Sequence, residues 1–240
     1  MTSSGASFSL GSYLTVEPFD YASDSTFSVS MWVAKEQCAE ETHEYLYSHM
    51  EQQDLGTWDD DSYALMMFLC EETGAFASTV DGSVLRYDIH DTAGQRGTFD
   101  FSVHEAGDFD AITSRWLHVI WTVSATAMAS FVDGAPAVVD QYGFFTGLTE
   151  NIARPHPDQL EPALGALDLQ TGIYLGGRFD GDAARAFRGS LALVNVYDRV
   201  VTADEAACIF HDGDALLSLG FLSGGRRSLS AAWAVNKTSL

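Results

Sequence analysis

The feature that most restricts this chain is an alternation of apolar and polar residues with period two, recurring along its length and broken by turn residues. Successive side chains of an extended strand leave opposite faces, so this pattern suits strands with one buried face and opposes a helix, whose period is 3.6. In residues 26–33, Phe27, Val29, Met31 and Val33 fall on one face and Ser28, Ser30 and Trp32 on the other. Residues 116–123 repeat the arrangement, with Leu117, Val119, Trp121 and Val123 together. Residues 127–132 run into Asp133-Gly134, a pair that tolerates the positive φ of a tight hairpin, and residues 136–139 leave it. Asp81-Gly82, between residues 76–80 and 83–87, reads the same way. Residues 172–177 and 189–197 give two further strands, the second apolar on both faces and therefore expected centrally between covering layers. One helix is expected, over residues 203–210, behind the capping box formed by Thr202 and Glu205. Together these elements predict an all-β, two-sheet antiparallel sandwich with one short helix after the last long strand.

With 240 residues, 46% of them hydrophobic, the chain can bury a large core as one domain. That domain is read as residues 1–218, and residues 219–240, with Gly224-Gly225-Arg226-Arg227, as a tail or linker. Residues 140–168 hold three of the five prolines and little alternation, and read as a long surface loop, where function often sits. The 34 acidic residues against 12 basic ones, a net charge of −22, repel a phosphate backbone and an anionic bilayer, so nucleic acid and membrane surfaces are poor partners. Such an excess also repels itself, which bound calcium would relieve. An organism-wide acidic bias is the competing account, because lysine occurs only at Lys35 and Lys237.

No stretch approaches the roughly 20 apolar residues of a membrane-spanning helix. The first residues also lack a signal-peptide pattern, which implies a trimmed leader or a module of a longer chain. Of three cysteines, Cys38 and Cys70 flank strand-like runs and are candidates for a disulfide, with Cys208 left in the helix. Asn236-Lys237-Thr238 is a glycosylation sequon, which only a secretory compartment would use.

Three runs taken in order resemble the laminin-G-like and pentraxin-like domains of the concanavalin-A-like superfamily. They are Phe27 to Val33; Arg115 to Val123 with Phe131-Val-Asp-Gly134; and Tyr174-Leu-Gly-Gly-Arg178 through Phe187 to Tyr197. The segment Thr202-Ala-Asp-Glu-Ala206 fits as well, and the likeness covers roughly residues 8–211. The resemblance implies a jelly roll of two stacked sheets with about six or seven strands each. It also implies an extracellular or cell-surface recognition role toward glycans, proteins or steroid-like ligands, often with calcium on the sandwich rim. Because one fold hosts many activities, the site needs its own argument.

By that resemblance the calcium ligands would be Asp168, ahead of the strand ending in Gly-Gly, and Asp100, from the loop region before the Trp-x-His-Val strand. Two carboxylates with carbonyls and water make a moderate calcium site, while Asp168 capping its own turn is the plainer reading. Asp180 and Asp182 flank Gly181 and can turn toward one cation, but Arg185 and Arg188 nearby make a local ion-pair knot equally simple. Trp58, Asp59, Asp60, Asp61 and Tyr63 set aromatic faces beside carboxylates, a combination that stacks on sugar rings and accepts hydroxyl protons. An aromatic folded onto the core edge with a solvated acidic turn is the competing reading. His118 alternates with core residues and reads as a structural histidine; Trp32, Trp116 and Trp121 read as packing residues.

No strand carries the alternating carboxylates of a retaining glycoside hydrolase, and Glu40, Glu41 and Glu44 lie in a charged stretch without alternation. No nucleophile elbow, zinc helix or phosphate loop is present. The expectation is therefore a non-catalytic carbohydrate-binding or adhesion module. A structural protein–protein module of a cell-surface or extracellular assembly stands as the alternative, and a glycoside hydrolase behind both.

Overall fold

The computed structural model describes residues 6–8, 13–16, 26–36, 43–50, 63–68, 84–90, 96–102, 115–124, 128–137, 173–178 and 181–218. Two six-stranded antiparallel sheets face each other. The first contains β1 (Ala6–Phe8), β3 (Phe27–Lys35), β8 (Leu117–Val123), β9 (Met128–Val132), β10 (Ala135–Pro136) and β12 (Gly189–Tyr197), in the spatial order β1-β12-β3-β8-β9-β10. The second contains β2 (Leu14–Val16), β4 (Glu44–Met50), β5 (Tyr63–Phe68), β6 (Val84–His90), β7 (Arg96–Ser102) and β11 (Ile173–Leu175), in the order β2-β11-β4-β5-β6-β7. The period-two prediction holds where it was strongest. Phe27, Val29, Met31 and Val33 of β3 and Leu117, Val119, Trp121 and Val123 of β8 all face the inter-sheet core, with Met66, Phe68, Leu85, Tyr87 and Ile89 opposing them. Across that core the Tyr87 hydroxyl meets Ser130 Oγ at 2.7 Å, and the Tyr87 ring stacks on Trp121 with centroids 5.0 Å apart, so one residue ties both sheets by packing and polarity.

The Asp133-Gly134 hairpin forms as read: both residues have positive φ, 50° and 77°. β12 spans the residues expected but lies next to the short edge strand β1 instead of centrally, and it is covered on both faces because a helix lies outside it. That helix, α1, runs from Ala203 to Ser218 and so extends well past the expected stop at Phe210. Gly213 is an approach point within this helix: a Cβ there would collide with Trp32 Nε1. α1 thereby covers the outer face of the first sheet, Trp32 stacking on Phe210 at 5.5 Å and Ile120 and Phe131 packing with Val201 and Ala206. Ser28, Ser30 and Trp32, assigned to a half-exposed face by alternation, are consequently buried. The capping box is formed: Thr202 N–H donates to Glu205 Oε2 at 2.9 Å and Glu205 N–H to Thr202 Oγ1 at 3.4 Å.

The second sheet departs more from expectation. Glu44, read as part of a featureless charged stretch, begins β4, and Tyr63, read as a loop residue, begins β5 and is only 4% exposed. Alternation fails in β5 because both faces of Tyr63–Phe68 are buried, so nothing polar marks an outward side. The hairpin turn at Asp81-Gly82, the loop at 140–168, Cys38, Cys70 and the tail at 219–240 lie outside the described residues. Among the described residues no helix is long and apolar enough to cross a membrane.

Candidate functional site

One end of the second sheet gathers an unusual share of the few cationic residues. Strand registers place Tyr45 opposite Met67 and Met67 opposite Arg86, all on the sheet's outer face, and His43 precedes Tyr45 by two residues on the same side. The connection from β11 to β12 wraps this end, and Ala186 makes a bridge to Tyr45. It delivers Arg178, whose guanidinium lies 5.4 Å from the Tyr45 ring centroid, a cation–π contact that holds the group at the rim. It also delivers a one-turn 3-10 helix, Ala183–Arg185, capped by Asp182, which accepts the Ala184 N–H at 3.0 Å. The same carboxylate lies 3.4 Å from Arg185 Nε and 3.9 Å from Arg178 Nη2. His43 Nε2 is 3.5 Å from Arg86 Nη1. Burial and then the positive charges of Arg86 and Arg185 push the His43 imidazole down to about 4, so at neutral pH it is uncharged.

Beneath this rim a buried ion pair spans the two sheets. Lys35, the last residue of β3, donates from Nζ to Glu44 Oε2 at 2.7 Å, with side chains 0% and 3% exposed. Lys35 also donates to the Glu36 carbonyl at 3.2 Å, its ammonium lies 5.2 Å from the Phe68 ring centroid, and the Arg188 N–H approaches Glu44 Oε2 at 3.4 Å. Burial lowers the Lys35 ammonium below its ordinary range, and Glu44 opposes that shift.

Beside the rim lies an aromatic step. Tyr13, 41% exposed, meets Tyr174 of β11 edge-on with centroids 5.6 Å apart. The glycines of the Arg178 loop make room for it: a Cβ on Gly177 would come within 3.0 Å of Tyr13 Cβ, and Gly181, at φ 65°, faces the Tyr13 ring. Tyr174 pairs in register with Ser48, whose hydroxyl is buried and has no hydrogen-bond partner among the described residues. A buried hydroxyl left so costs about 1–3 kcal/mol.

The residues singled out from sequence fare unequally. Asp182 is at the rim, but its carboxylate caps the turn and faces two guanidinium groups, the ion-pair arrangement and not an open cation site. Asp100 belongs to β7, opposite Arg86, and not to the loop in which it was sought; it is thus not brought to Asp182 by a shared loop. Tyr63 packs with Tyr45, Leu65 and Met67 and does not extend from a loop. Trp58, Asp59, Asp60, Asp61, Asp168, Asp180 and Asn236 lie outside the described residues. Among the described residues no group of three His, Cys, Asp or Glu side chains is placed to hold a metal ion. His118 is structural, as read: its Nε2 is 3.0 Å from Ser30 Oγ and its ring lies against Trp32. The arginine rim itself was missed. Its sequence trace is Arg178, Arg185 and Arg188, three cations within eleven residues of a strongly acidic chain.

No family model and no curated protein matches the sequence. Solved structures do. The botulinum neurotoxin serotype D binding domain superposes with a TM-score of 0.52 at 11% identity, over 87% of this chain and 42% of that one. The fold is the concanavalin-A-like jelly roll. A second jelly-roll match is the binding domain of Paraclostridial Mosquitocidal Protein 1, with a TM-score of 0.51 and 14% identity over 84% of this chain and 41% of that one. This chain therefore spans well under half of either binding domain. It spans 96% of the CBM40 module of a Ruminococcus gnavus IT-sialidase, solved with alpha2,3 sialyllactose, which covers 86% of this chain at 15% identity and a TM-score of 0.50. At such identities the likeness is one of fold.

Proposed function

We propose that this jelly roll is a non-catalytic carbohydrate-recognition module of an extracellular or cell-surface protein, using the Tyr13–Tyr174 step and the arginine rim beside it. The observation that carries the reading is Tyr13: a large aromatic side chain, 41% exposed, braced on a second tyrosine and against a glycine loop that has been cleared for it. A fixed, exposed aromatic edge with polar groups around it suits the apolar face and hydroxyl periphery of a sugar ring. The solved sialidase module with sialyllactose supports the reading by showing one use of the same fold at similar size. Calcium at Asp182 would sit against Arg178 and Arg185, which leaves any calcium contribution to binding to Asp168, Asp100 and Asp180.

The test is a broad glycan array probed with the purified chain and with Tyr13→Ala, each in calcium and in chelator. Binding by the wild-type chain and its loss by about tenfold or more in Tyr13→Ala is the expected result. If no glycan binds under either condition, the reading fails, and a stable complex with an extracellular protein would then favour the structural-module alternative.

A further inference from the structure

Resting on that reading, we infer that the sugar this rim takes is an acidic one, its anionic group received by Arg185 and its ring by Tyr13. The chain carries 34 acidic and 12 basic residues, so its mean field repels anions. Yet five of the basic residues, Lys35, Arg86, Arg178, Arg185 and Arg188, gather at one end of the sandwich.

Two of these have a plain structural use. Lys35 is consumed by the buried pair with Glu44, and Arg178, only 6% exposed, is held on Tyr45 near Asp182. Arg185 differs. Its side chain is 36% exposed, and among the described residues its ion-pair contact is made through Nε to Asp182. The guanidinium also carries two Nη groups, and such a fork reads a planar carboxylate or a sulfate in bidentate fashion. The 3-10 turn that ends at Arg185 is fixed by Asp182, and Asp182 follows Gly181, the residue that faces the Tyr13 ring. One short, capped segment thus carries the Arg185 guanidinium and lies against the aromatic step. His43 is held uncharged first by its burial and then by the positive charges of Arg86 and Arg185, which both act at this spot in a protein of net charge −22. A neutral sugar would leave those charges unused; a carboxylate or sulfate on the sugar would answer them.

The experiment compares matched glycans on the intact chain by titration calorimetry: lactose, sialyllactose, a galacturonic-acid oligomer and sulfated lactose, each at low and high salt. The acidic members are expected to bind about tenfold or more tighter than lactose, with the advantage shrinking as salt rises. Arg185→Gln is expected to abolish that advantage, bringing the acidic probes to the affinity of lactose for the same variant, and Arg185→Lys to restore part of it for a sulfate and less for a carboxylate. Preference among the acidic probes assigns the source of the anion. Equal binding of lactose and every acidic probe, or an acid preference that survives in a folded Arg185→Gln variant, overturns this inference while leaving the carbohydrate reading standing. Failure of all four probes and of the array overturns both.

Discussion

Removing the Lys35 ammonium while leaving Glu44 in place tests how the two sheets are held together at the rim. In Lys35→Met the methionine fills much of the lysine stem's volume, but the Glu44 carboxylate, 3% exposed, keeps only the Arg188 N–H at 3.4 Å of its contacts described here. An uncompensated buried charge of this kind costs about 3–5 kcal/mol. For a chain of this length each kcal/mol moves the melting midpoint by about 2–4 °C, which sets the expected drop at roughly 6–20 °C. The double variant Lys35→Met/Glu44→Leu removes both charges and both desolvation costs, and is expected to return to within about 1 kcal/mol of wild type or to exceed it. Urea denaturation of the four members of the cycle gives the coupling directly. A single-variant loss below about 1 kcal/mol, or a double variant no more stable than Lys35→Met, would refute the claim that the pair is buried and mutually dependent.

Three further outcomes follow from the geometry. Burial holds the His118 imidazole down to about 4, against an ordinary value of 6.5. The unfolded chain then binds the extra proton first as pH falls, so the His118 contribution is complete above about pH 6.5 and is lost toward pH 4, by up to about 3 kcal/mol; His118→Gln should lack that part of the acid slope, and parallel slopes in urea melts would contradict it. Gly213→Ala should destabilise by about 1–3 kcal/mol despite the better helix propensity of alanine, because the new methyl group meets the Trp32 indole; a stabilised variant would mean α1 does not press on Trp32 as described. Calcium is expected to raise the melting temperature relative to chelator, by the equivalent of about 2.7 kcal/mol at a hundredfold excess over Kd, and an unchanged midpoint would remove Asp168, Asp100 and Asp180 from the site.

How much of this was legible in sequence depended on what lies against each face. β3 and β8 were readable because their inner residues are uniformly apolar while serines, His118 and Thr122 interleave them, even though α1 then buries that second face as well. β5 was not readable, since Tyr63-Ala-Leu-Met-Met-Phe68 is buried on both sides and carries no alternation. Glu44 misled for a related reason: a glutamate looks solvated unless its partner is known, and Lys35 lies on the other sheet. The rim was hidden because it is assembled from β4, β6 and the β11–β12 connection, segments far apart in the chain. Aromatic and acidic residues adjacent in sequence, such as Trp58 to Tyr63, drew attention by their proximity, whereas Tyr13 is brought to Gly177 and Gly181 only by folding.

The helix that closes over Trp32 gives the sandwich a back and a front. The outer face of the first sheet is covered by α1 at Trp32 and Phe210, and the exposed ring of Tyr13 stands on the side of the second sheet. A surface or bead coupled to α1 would thus hold the molecule by its helix side and turn Tyr13 and Arg185 outward.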